Sequence, residues 1–280
     1  MFEQMKARYL ILYSALGMIA TMIGLALLDV SDMTFDVISQ SVLYVLVPGI
    51  YFGYYFRKHN TSVWNVLSFG GIQKWLPILF ALVAVSIAFS ISMFWFQLFM
   101  LAPIAPWLVS LMLETFPIPD TPLYIVFTVF TIAILAPVVE EFMFRGVLLK
   151  RMIGKTSMWG GILISSLLFG ILHLDVIGAF LFGVVASLLY LRTNNLLLPI
   201  LLHIINNSLA AAAMFLAPTW PESIAIFNLA DIYTKATPNA VVLGISAVLL
   251  IGAIFWLARG LEARTETEEE SPSQDNELTR

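Results

Sequence analysis

Long apolar runs recur along the whole sequence, and charged or turn-forming residues bound each of them. A helix needs about 20 apolar residues to cross the roughly 30 Å hydrocarbon core of a bilayer. Eight such runs occur, of which the fifth and sixth are short. They cover residues 9–28, 36–56, 75–99, 123–149, 158–173, 176–192, 195–216 and 239–258. The pattern predicts an all-α fold, a polytopic membrane bundle of about eight transmembrane helices.

The balance of apolar and charged residues supports a membrane protein. Hydrophobic residues make up 60% of the chain and charged residues 11%, and the mean hydropathy is +0.92. A soluble domain carries roughly 25% charged residues, so lipid has to be the solvent for most of this surface. The chain has no cysteine, which excludes a thiol nucleophile, a disulfide and a thiolate metal site. No basic patch points to a nucleic-acid partner.

The sequence predicts one integral membrane domain over residues 1–260, with a catalytic core at 120–216. Residues 261–280 hold seven acidic side chains beside serine and proline, so we expect a disordered, solvated cytoplasmic tail. Residues 100–122 contain five prolines, which favours a segment lying at the membrane interface over a further span. The first apolar run is long and lacks an A-x-A site, so it is interpreted as a retained span.

The distribution of basic residues predicts the orientation. If the N-terminus is cytoplasmic, eight spans place eleven basic residues inside and only Lys235 outside. The inner residues are Lys6, Arg8, Arg57, Lys58, Lys74, Lys150, Arg151, Lys155, Arg192, Arg259 and Arg264. Cytoplasmic loops carry such an excess of lysine and arginine. Both termini are therefore predicted to be cytoplasmic.

Two adjacent carboxylates, Glu140 and Glu141, lie inside the fourth apolar run. They precede Lys150 by about ten residues, which corresponds to a depth of roughly 15 Å. A charge at mid-bilayer costs at least about 2.5–3.5 kcal/mol, so each needs a partner or a task. Glu141 and Arg145 are spaced i,i+4 and are expected to pair. Glu140 points about 100° away, which leaves it as a candidate general base or acid. Pro137, one turn earlier, frees a backbone carbonyl.

Two further apolar runs carry histidine and asparagine. His203 and Asn207 are spaced i,i+4, so both can donate a hydrogen bond to one point, as an oxyanion hole requires. The alternative is a hydrogen-bond clamp between helices. Asn206 is expected to face elsewhere. His173 ends the fifth run and taken alone would be an interfacial histidine, with Phe169 one turn earlier as packing.

Estimated depths place these polar groups in one layer of the membrane. At 1.5 Å per residue the depths from the inner surface are roughly 15 Å for Glu140, 12 Å for His203, 18 Å for Asn207 and 22 Å for His173. The four side chains are therefore expected to converge.

The motifs together resemble those of the CAAX-protease and bacteriocin-processing family of intramembrane endopeptidases, also called the Abi or Rce1-type family. They are Glu140-Glu141-x-x-x-Arg145, Phe169-x-x-x-His173 and His203-x-x-x-Asn207, in the family's order. The resemblance implies an eight-helix fold and hydrolysis of a peptide bond. It implies the following roles: Glu140 and His173 activate a water, His203 and Asn207 stabilise the oxyanion, and Glu141 and Arg145 support the site.

The substrate and the cofactor stay open at this point. The resemblance implies a membrane-associated peptide or lipidated protein as partner, and the acidic tail favours a prokaryotic cell membrane. No H-E-x-x-H motif occurs, and the resemblance favours a metal-independent mechanism with no cofactor. Zinc is the alternative, with Glu140, His173 and His203 as ligands and one open position. A proton-coupled transporter and a non-catalytic immunity or scaffold protein are the other functions, although the sequence lacks the internal repeat that a carrier should show.

Overall fold

The part of the chain that the structure describes is built from helices joined by loops. The computed structural model describes residues 2–114 and 121–261, and no strand occurs among them. Its helices are α1 (Ala7–Leu27), α2 (Asp32–Lys58), α3 (Ile72–Leu101), α4 (Pro106–Met112), α5 (Pro122–Ile153), α6 (Met158–Ile171), α7 (Val176–Thr193), α8 (Leu197–Leu216), α9 (Leu229–Thr234) and α10 (Ala236–Ala258). The predicted all-α class is confirmed.

Seven of the described helices are long and apolar enough to cross a membrane, namely α1, α2, α3, α5, α7, α8 and α10. Their outer faces carry large apolar side chains, such as Ile23 and Val248, which are more than half exposed. Apolar surface of this extent is stable in lipid and not in water. The chain is therefore an integral multi-pass membrane protein.

The fifth predicted span is a shorter helix than its apolar run suggested. The run covered residues 158–173, whereas α6 ends at Ile171 and Leu172 caps it. Its 14 residues extend about 21 Å, which is less than the roughly 30 Å hydrocarbon core. The topology with both termini cytoplasmic requires α6 to cross, so that topology stays a prediction.

The proline-rich segment contains no further full span among its described residues. α3 continues to Leu101, and the short helix α4 follows. Trp107 in α4 is exposed, whereas Val109 is buried in an apolar cluster with α3 and α9. Residues 115–120 and 262–280 lie outside the described part. The predicted acidic tail, and the domain boundary before it, therefore stay predictions.

Two of the spans contain π-helical turns, in which the backbone N–H bonds to the carbonyl five residues earlier. They cover Val42–Leu46 in α2, and Thr131–Leu135 and Phe142–Leu149 in α5. Such turns often occur at functional sites because they widen the helix and redirect side chains. In α5 they flank the short α-helical segment Ala136–Glu141, which carries both adjacent carboxylates.

α7 lies at the centre of the bundle, where it packs against α3, α6, α8 and α10. Glycine allows α6 and α7 to approach closely, since a Cβ on Gly183 would lie 2.9 Å from the Cβ of Ser166. A Cβ on Gly170 would lie 2.6 Å from the Val176 carbonyl oxygen. Small residues commonly allow such close contacts between helices in membranes. The resulting hairpin fixes the position of His173, which lies at its tip.

Candidate active site

The two adjacent carboxylates have different environments. The side chain of Glu141 is fully buried, whereas 18% of the Glu140 side chain remains exposed. The structure thus places the two on different faces of α5, as helical geometry predicts. Glu141 faces the interior of the bundle, and Glu140 is the carboxylate that a small molecule can reach.

Glu141 joins α5 to α8 inside the bundle. Its Oε1 accepts a hydrogen bond from Nη1 of Arg145 at 2.8 Å and lies 2.8 Å from Nδ1 of His203. The expected pair of Glu141 with Arg145 is present, but its second partner, His203, was not expected. Burying an ion costs several kcal/mol unless it is paired, so these three groups depend on one another.

Arg145 is held by an aromatic ring as well as by its ion pair with Glu141. The group lies over the ring of Phe169, with Cζ 4.4 Å from the ring centroid. Such a cation–π contact adds to the ion pair, most strongly where water is excluded. Only 1% of Arg145 is exposed. It therefore supports the buried cluster and does not reach a substrate in this conformation.

The contact with Glu141 orients the His203 ring. An ionised carboxylate only accepts hydrogen bonds, so Nδ1 of His203 carries the hydrogen that points at Glu141. Nε2 then faces Glu140, whose Oε2 lies 3.9 Å away. That separation is too long for a direct hydrogen bond, but an oxygen about 2.8 Å from each atom fits between them. The gap suits a water or a carbonyl oxygen.

Asn207 satisfies a backbone carbonyl that proline leaves open. In the first π turn of α5, the N–H of Ala136 bonds to the carbonyl of Thr131. By the same spacing the next residue would donate to Ile132, but that residue is Pro137 and has no N–H. Nδ2 of Asn207 instead donates to the Ile132 carbonyl oxygen at 3.0 Å. The freed carbonyl and Asn207 are therefore partners across α5 and α8.

The predicted donor pair is already engaged in hydrogen bonds between helices. His203 is bonded to α5 through Nδ1, and Asn207 through one of its two Nδ2 hydrogens. Nε2 of His203 and the second Nδ2 hydrogen of Asn207 remain available to contact a substrate oxygen. Asn206, expected to face elsewhere, donates to Oδ1 of Asn207 at 3.3 Å and so orients its amide.

His173 reaches the cluster through the ring of Phe169. The Phe169 centroid lies 4.4 Å from the His173 ring and 5.7 Å from the His203 ring. Nδ1 of His173 lies 2.8 Å from the Phe169 carbonyl oxygen, so Nδ1 donates and Nε2 keeps its lone pair. Among the described residues, His173 makes no hydrogen bond or ion pair with Glu140. Phe169 therefore packs as expected, and its ring contacts those of both His173 and His203.

The turn that carries His173 is anchored to α3. Asp175 caps α7 by accepting from the N–H of Gly178 at 3.0 Å, and it also accepts from Gln97 at 3.2 Å. Burial raises the pKa of the Asp175 carboxyl above its ordinary value, although these hydrogen bonds oppose the shift. The anchor limits how far His173 can move.

Tyr44 is a neighbour of Glu140 that sequence reasoning missed. Its hydroxyl donates to Oε1 of Glu140 at 3.3 Å from the π turn of α2. A weak signal existed, because Asp36, Gln40 and Tyr44 repeat every four residues along an apolar span. Asp36 accepts hydrogen bonds from Gln40 and from Tyr124 of α5, at 2.7 and 2.8 Å. α2 and α5 thus meet at two polar contacts.

The alternative zinc site does not fit this geometry. Across residues 2–114 and 121–261, no three histidine or carboxylate side chains are gathered closely enough to hold a metal ion. Nε2 of His203 and Oε2 of Glu140 are 3.9 Å apart, and in the part of the chain that the structure describes His173 makes no hydrogen bond or ion pair with either residue. The expectation of a metal-independent site stays a prediction.

Comparison with known proteins identifies the family that the central third of the chain resembles. Residues 122–209 match the Rce1-like family, described as type II CAAX prenyl endopeptidase Rce1-like. All three motifs, from Glu140 to Asn207, lie within this segment. The resemblance inferred from those motifs is confirmed.

Two bacterial proteins are similar over shorter segments. An Escherichia coli protein named "Uncharacterized 24.3 kDa protein" is 38% identical over 109 residues, which is 36% of this chain and 48% of that protein. The Bacillus subtilis (strain 168) protein named "Putative membrane peptidase YdiL" is 34% identical over 79 residues, which is 27% of this chain and 32% of that protein. The chain thus spans about half, or less, of the length of these relatives. No solved structure matches.

Proposed function

We propose that this membrane protein, Rce1-like over residues 122–209, is an intramembrane endopeptidase that hydrolyses a peptide bond with a water activated by Glu140. One observation carries the proposal. Oε2 of Glu140 faces Nε2 of His203 across a 3.9 Å gap that a single oxygen can bridge. A reacting atom placed there touches a base and a hydrogen-bond donor at once.

The proposed reaction begins with a water bound at Glu140. Glu140 takes a proton from the water, and the oxygen attacks the carbonyl carbon of the substrate peptide bond. The carbonyl electron pair moves to its oxygen, which gives a tetrahedral oxyanion. The oxyanion then collapses, the C–N bond breaks, and the leaving nitrogen takes its proton from Glu140.

His203 and Asn207 are proposed to stabilise that oxyanion. In this mechanism His203 acts as an imidazolium: Nδ1–H donates to the Glu141 carboxylate, which stabilises the positive charge, and Nε2–H donates to the oxyanion. Asn207 lies one turn further along α8 and has a second Nδ2 hydrogen to offer. Arg145 holds the Glu141 carboxylate in place, since the two are paired at 2.8 Å.

His173 is proposed to hold the attacking water together with Glu140. Its Nδ1 donates to a carbonyl oxygen, so Nε2 is the atom that can accept a hydrogen bond from water. The two residues share no hydrogen bond in this conformation. A water network or a small movement of the turn at 172–175 has to close the distance.

The proposed substrate is a membrane-associated peptide or lipidated protein. The site lies inside an apolar bundle, and the matching family is described by its action on prenylated CAAX proteins. A lipid anchor would bring such a peptide to the membrane and supply apolar contact area. A prenylated C-terminal peptide is therefore the first substrate to try.

Comparative membrane proteomics tests the proposed function in cells. Strains that express wild type, Glu140→Gln or Asp36→Asn are compared for accumulated precursors and for new peptide termini. Asp36→Asn is the control, because it alters a carboxylate on α2 away from Glu140. We expect precursors to accumulate only with Glu140→Gln. Identical peptide termini in all three strains would contradict a proteolytic function and favour the non-catalytic alternative.

Metal dependence has its own measurement. Mass spectrometry of the purified protein counts zinc per chain, and cleavage is assayed with and without a chelator. A metal-independent site predicts substoichiometric zinc and unchanged cleavage. One zinc per chain, lost together with activity, would overturn that prediction.

A further inference from the structure

The contact between Tyr44 and Glu140 brings a residue from outside the family match to the proposed site. The match covers residues 122–209, whereas Tyr44 lies on α2. Its hydroxyl donates to Oε1 of Glu140 at 3.3 Å across 96 positions of sequence. Both residues are partly buried, so water competes only partly for this contact.

The two oxygens of Glu140 have different neighbours. Oε1 accepts from Tyr44, and Oε2 faces Nε2 of His203 at 3.9 Å. The terminal torsion of a glutamate is broad, so an unrestrained carboxylate samples many orientations. A donor fixed on one oxygen selects the orientation that aims the other oxygen at the gap.

We infer that Tyr44 is a positioning residue, which holds the Glu140 carboxylate so that Oε2 faces the reacting water. The inference rests on the proposed role of Glu140 as the base. Tyr44 touches neither the water nor the peptide bond in this account. It acts only through the carboxylate, and its contribution comes from a span without a recognised motif.

Tyr44 lies where the backbone of α2 is irregular. It is part of the π turn Val42–Leu46, which interrupts the regular spacing of α2. One to two turns earlier, Asp36 accepts a hydrogen bond from Tyr124 of α5 at 2.8 Å, which is a separate polar contact between α2 and α5. The charged or titratable groups near Glu140 are His203 on α8 and the pair of Glu141 and Arg145 on its own helix. Tyr44 is the group that approaches from α2.

A merely structural role would be to hold α2 against α5, and the chain contains a matched control for that role. Tyr124 makes the same kind of contact, a phenol donating to a carboxylate between the same two spans. Tyr124→Phe removes that contact away from the site, and Tyr44→Phe removes it at Glu140. If the contacts only join helices, the two variants behave alike.

The cleavage arm uses a fluorogenic peptide that ends in a farnesylated CAAX sequence, with wild type, Tyr44→Phe and Tyr124→Phe in proteoliposomes. Losing a hydrogen bond to a charged group lowers kcat by roughly tenfold in Tyr44→Phe. KM stays within about twofold because the phenol does not touch the substrate. Tyr124→Phe keeps both constants. Unchanged kcat in Tyr44→Phe, or an equal loss in both variants, would overturn the inference.

The second arm does not depend on cleavage. Dicyclohexylcarbodiimide reacts with protonated carboxyl groups in apolar surroundings, and peptide mass spectrometry locates the label. Without the Tyr44 hydroxyl, Oε1 of Glu140 is open to the reagent, so we expect Glu140 to label roughly three to ten times faster in Tyr44→Phe. Tyr124→Phe labels like wild type, and Glu140→Gln gives the background at this peptide.

The two arms separate the inference from the proposed function. If wild type leaves the farnesylated peptide intact but Tyr44→Phe still labels faster, the positioning contact stands and the proposed substrate fails. If wild type cleaves and the three proteins label Glu140 equally, the proposed function stands and the positioning role is wrong.

Discussion

Replacing Glu141 by glutamine removes the negative charge that Arg145 and His203 share. Glutamine keeps the shape of the side chain and can still accept a hydrogen bond. Arg145, however, keeps its positive charge at 1% exposure and loses the carboxylate 2.8 Å away. The variant therefore tests whether the buried cluster stabilises the bundle.

The expected destabilisation follows from the burial of both partners. Removing one partner of a buried ion pair costs about 3–5 kcal/mol, because the other charge is left uncompensated. His203 also loses a charged acceptor 2.8 Å away, which places Glu141→Gln toward the upper end of that range. Glu140→Gln is the matched change on the neighbouring residue. Its contacts are long, at 3.3 and 3.9 Å, so it costs about 1 kcal/mol or less.

Unfolding in mixed micelles with increasing denaturing detergent, followed by tryptophan fluorescence, measures this difference. Glu140→Gln should unfold close to wild type, and Glu141→Gln at a much lower detergent fraction. Adding Arg145→Met to Glu141→Gln removes both charges, so the double variant should recover much of the loss. Equal destabilisation by the two single variants, or strictly additive effects in the double variant, would refute the assignment of Glu141 to the buried cluster.

Three further predictions concern other parts of the site. Asn207→Ala should cost about 1–3 kcal/mol because the partly buried Ile132 carbonyl loses its donor, and Pro137→Ala, which supplies an N–H, should reduce that cost in the double variant. Additive losses of stability in thermal unfolding would contradict the pairing. Because burial raises the pKa of Asp175, the folded state keeps a proton that the unfolded state loses above about pH 4. Stability should therefore fall as the pH rises from there through the folded-state pKa, and Asp175→Asn should flatten the fall. A slope of melting temperature against pH that is the same in both proteins would count against it. His173→Ala should abolish cleavage and leave the melting temperature unchanged. His59→Ala, in a loop, should change neither. Retained cleavage by His173→Ala would remove His173 from the mechanism.

The fold class was predictable because lipid demands long apolar helices, and such runs are visible in any sequence. Helix ends were less predictable. The fifth run included Leu172 and His173, but the chain leaves the helix there to form the turn that Asp175 anchors to α3. That anchor depends on Gln97, which is distant in sequence.

The pairing of Glu141 with Arg145 was predictable because it lies within one helix. The contact of Glu141 with His203 was not, because helical geometry gives directions along one element and not the facing element. The π turns were unpredictable for the same reason. Packing decides whether a backbone N–H bonds to the carbonyl four or five residues earlier. Because of this shift, Pro137 leaves without a donor the carbonyl five residues earlier, that of Ile132, and not the carbonyl four residues earlier. Asn207 therefore donates to Ile132.

Tyr44 shows the same limit most clearly. Its hydroxyl meets Glu140 across 96 positions, and tyrosine in a span is ordinary on composition alone. The repeat of Asp36, Gln40 and Tyr44 marks a polar stripe on α2, but it does not say which helix that stripe faces. Only the packing of α2 against α5 supplies that information.

Hydrolysis by the purified protein in water enriched in oxygen-18 tests whether Glu140 activates the water that attacks the peptide bond. Wild type and Glu140→Gln in proteoliposomes are given the farnesylated CAAX peptide with a metal chelator present, and mass spectrometry examines the new C-terminal carboxylate. The account predicts one oxygen-18 in the wild-type product and no product above background with Glu140→Gln, although that variant remains folded. Undiminished cleavage by folded Glu140→Gln would contradict it.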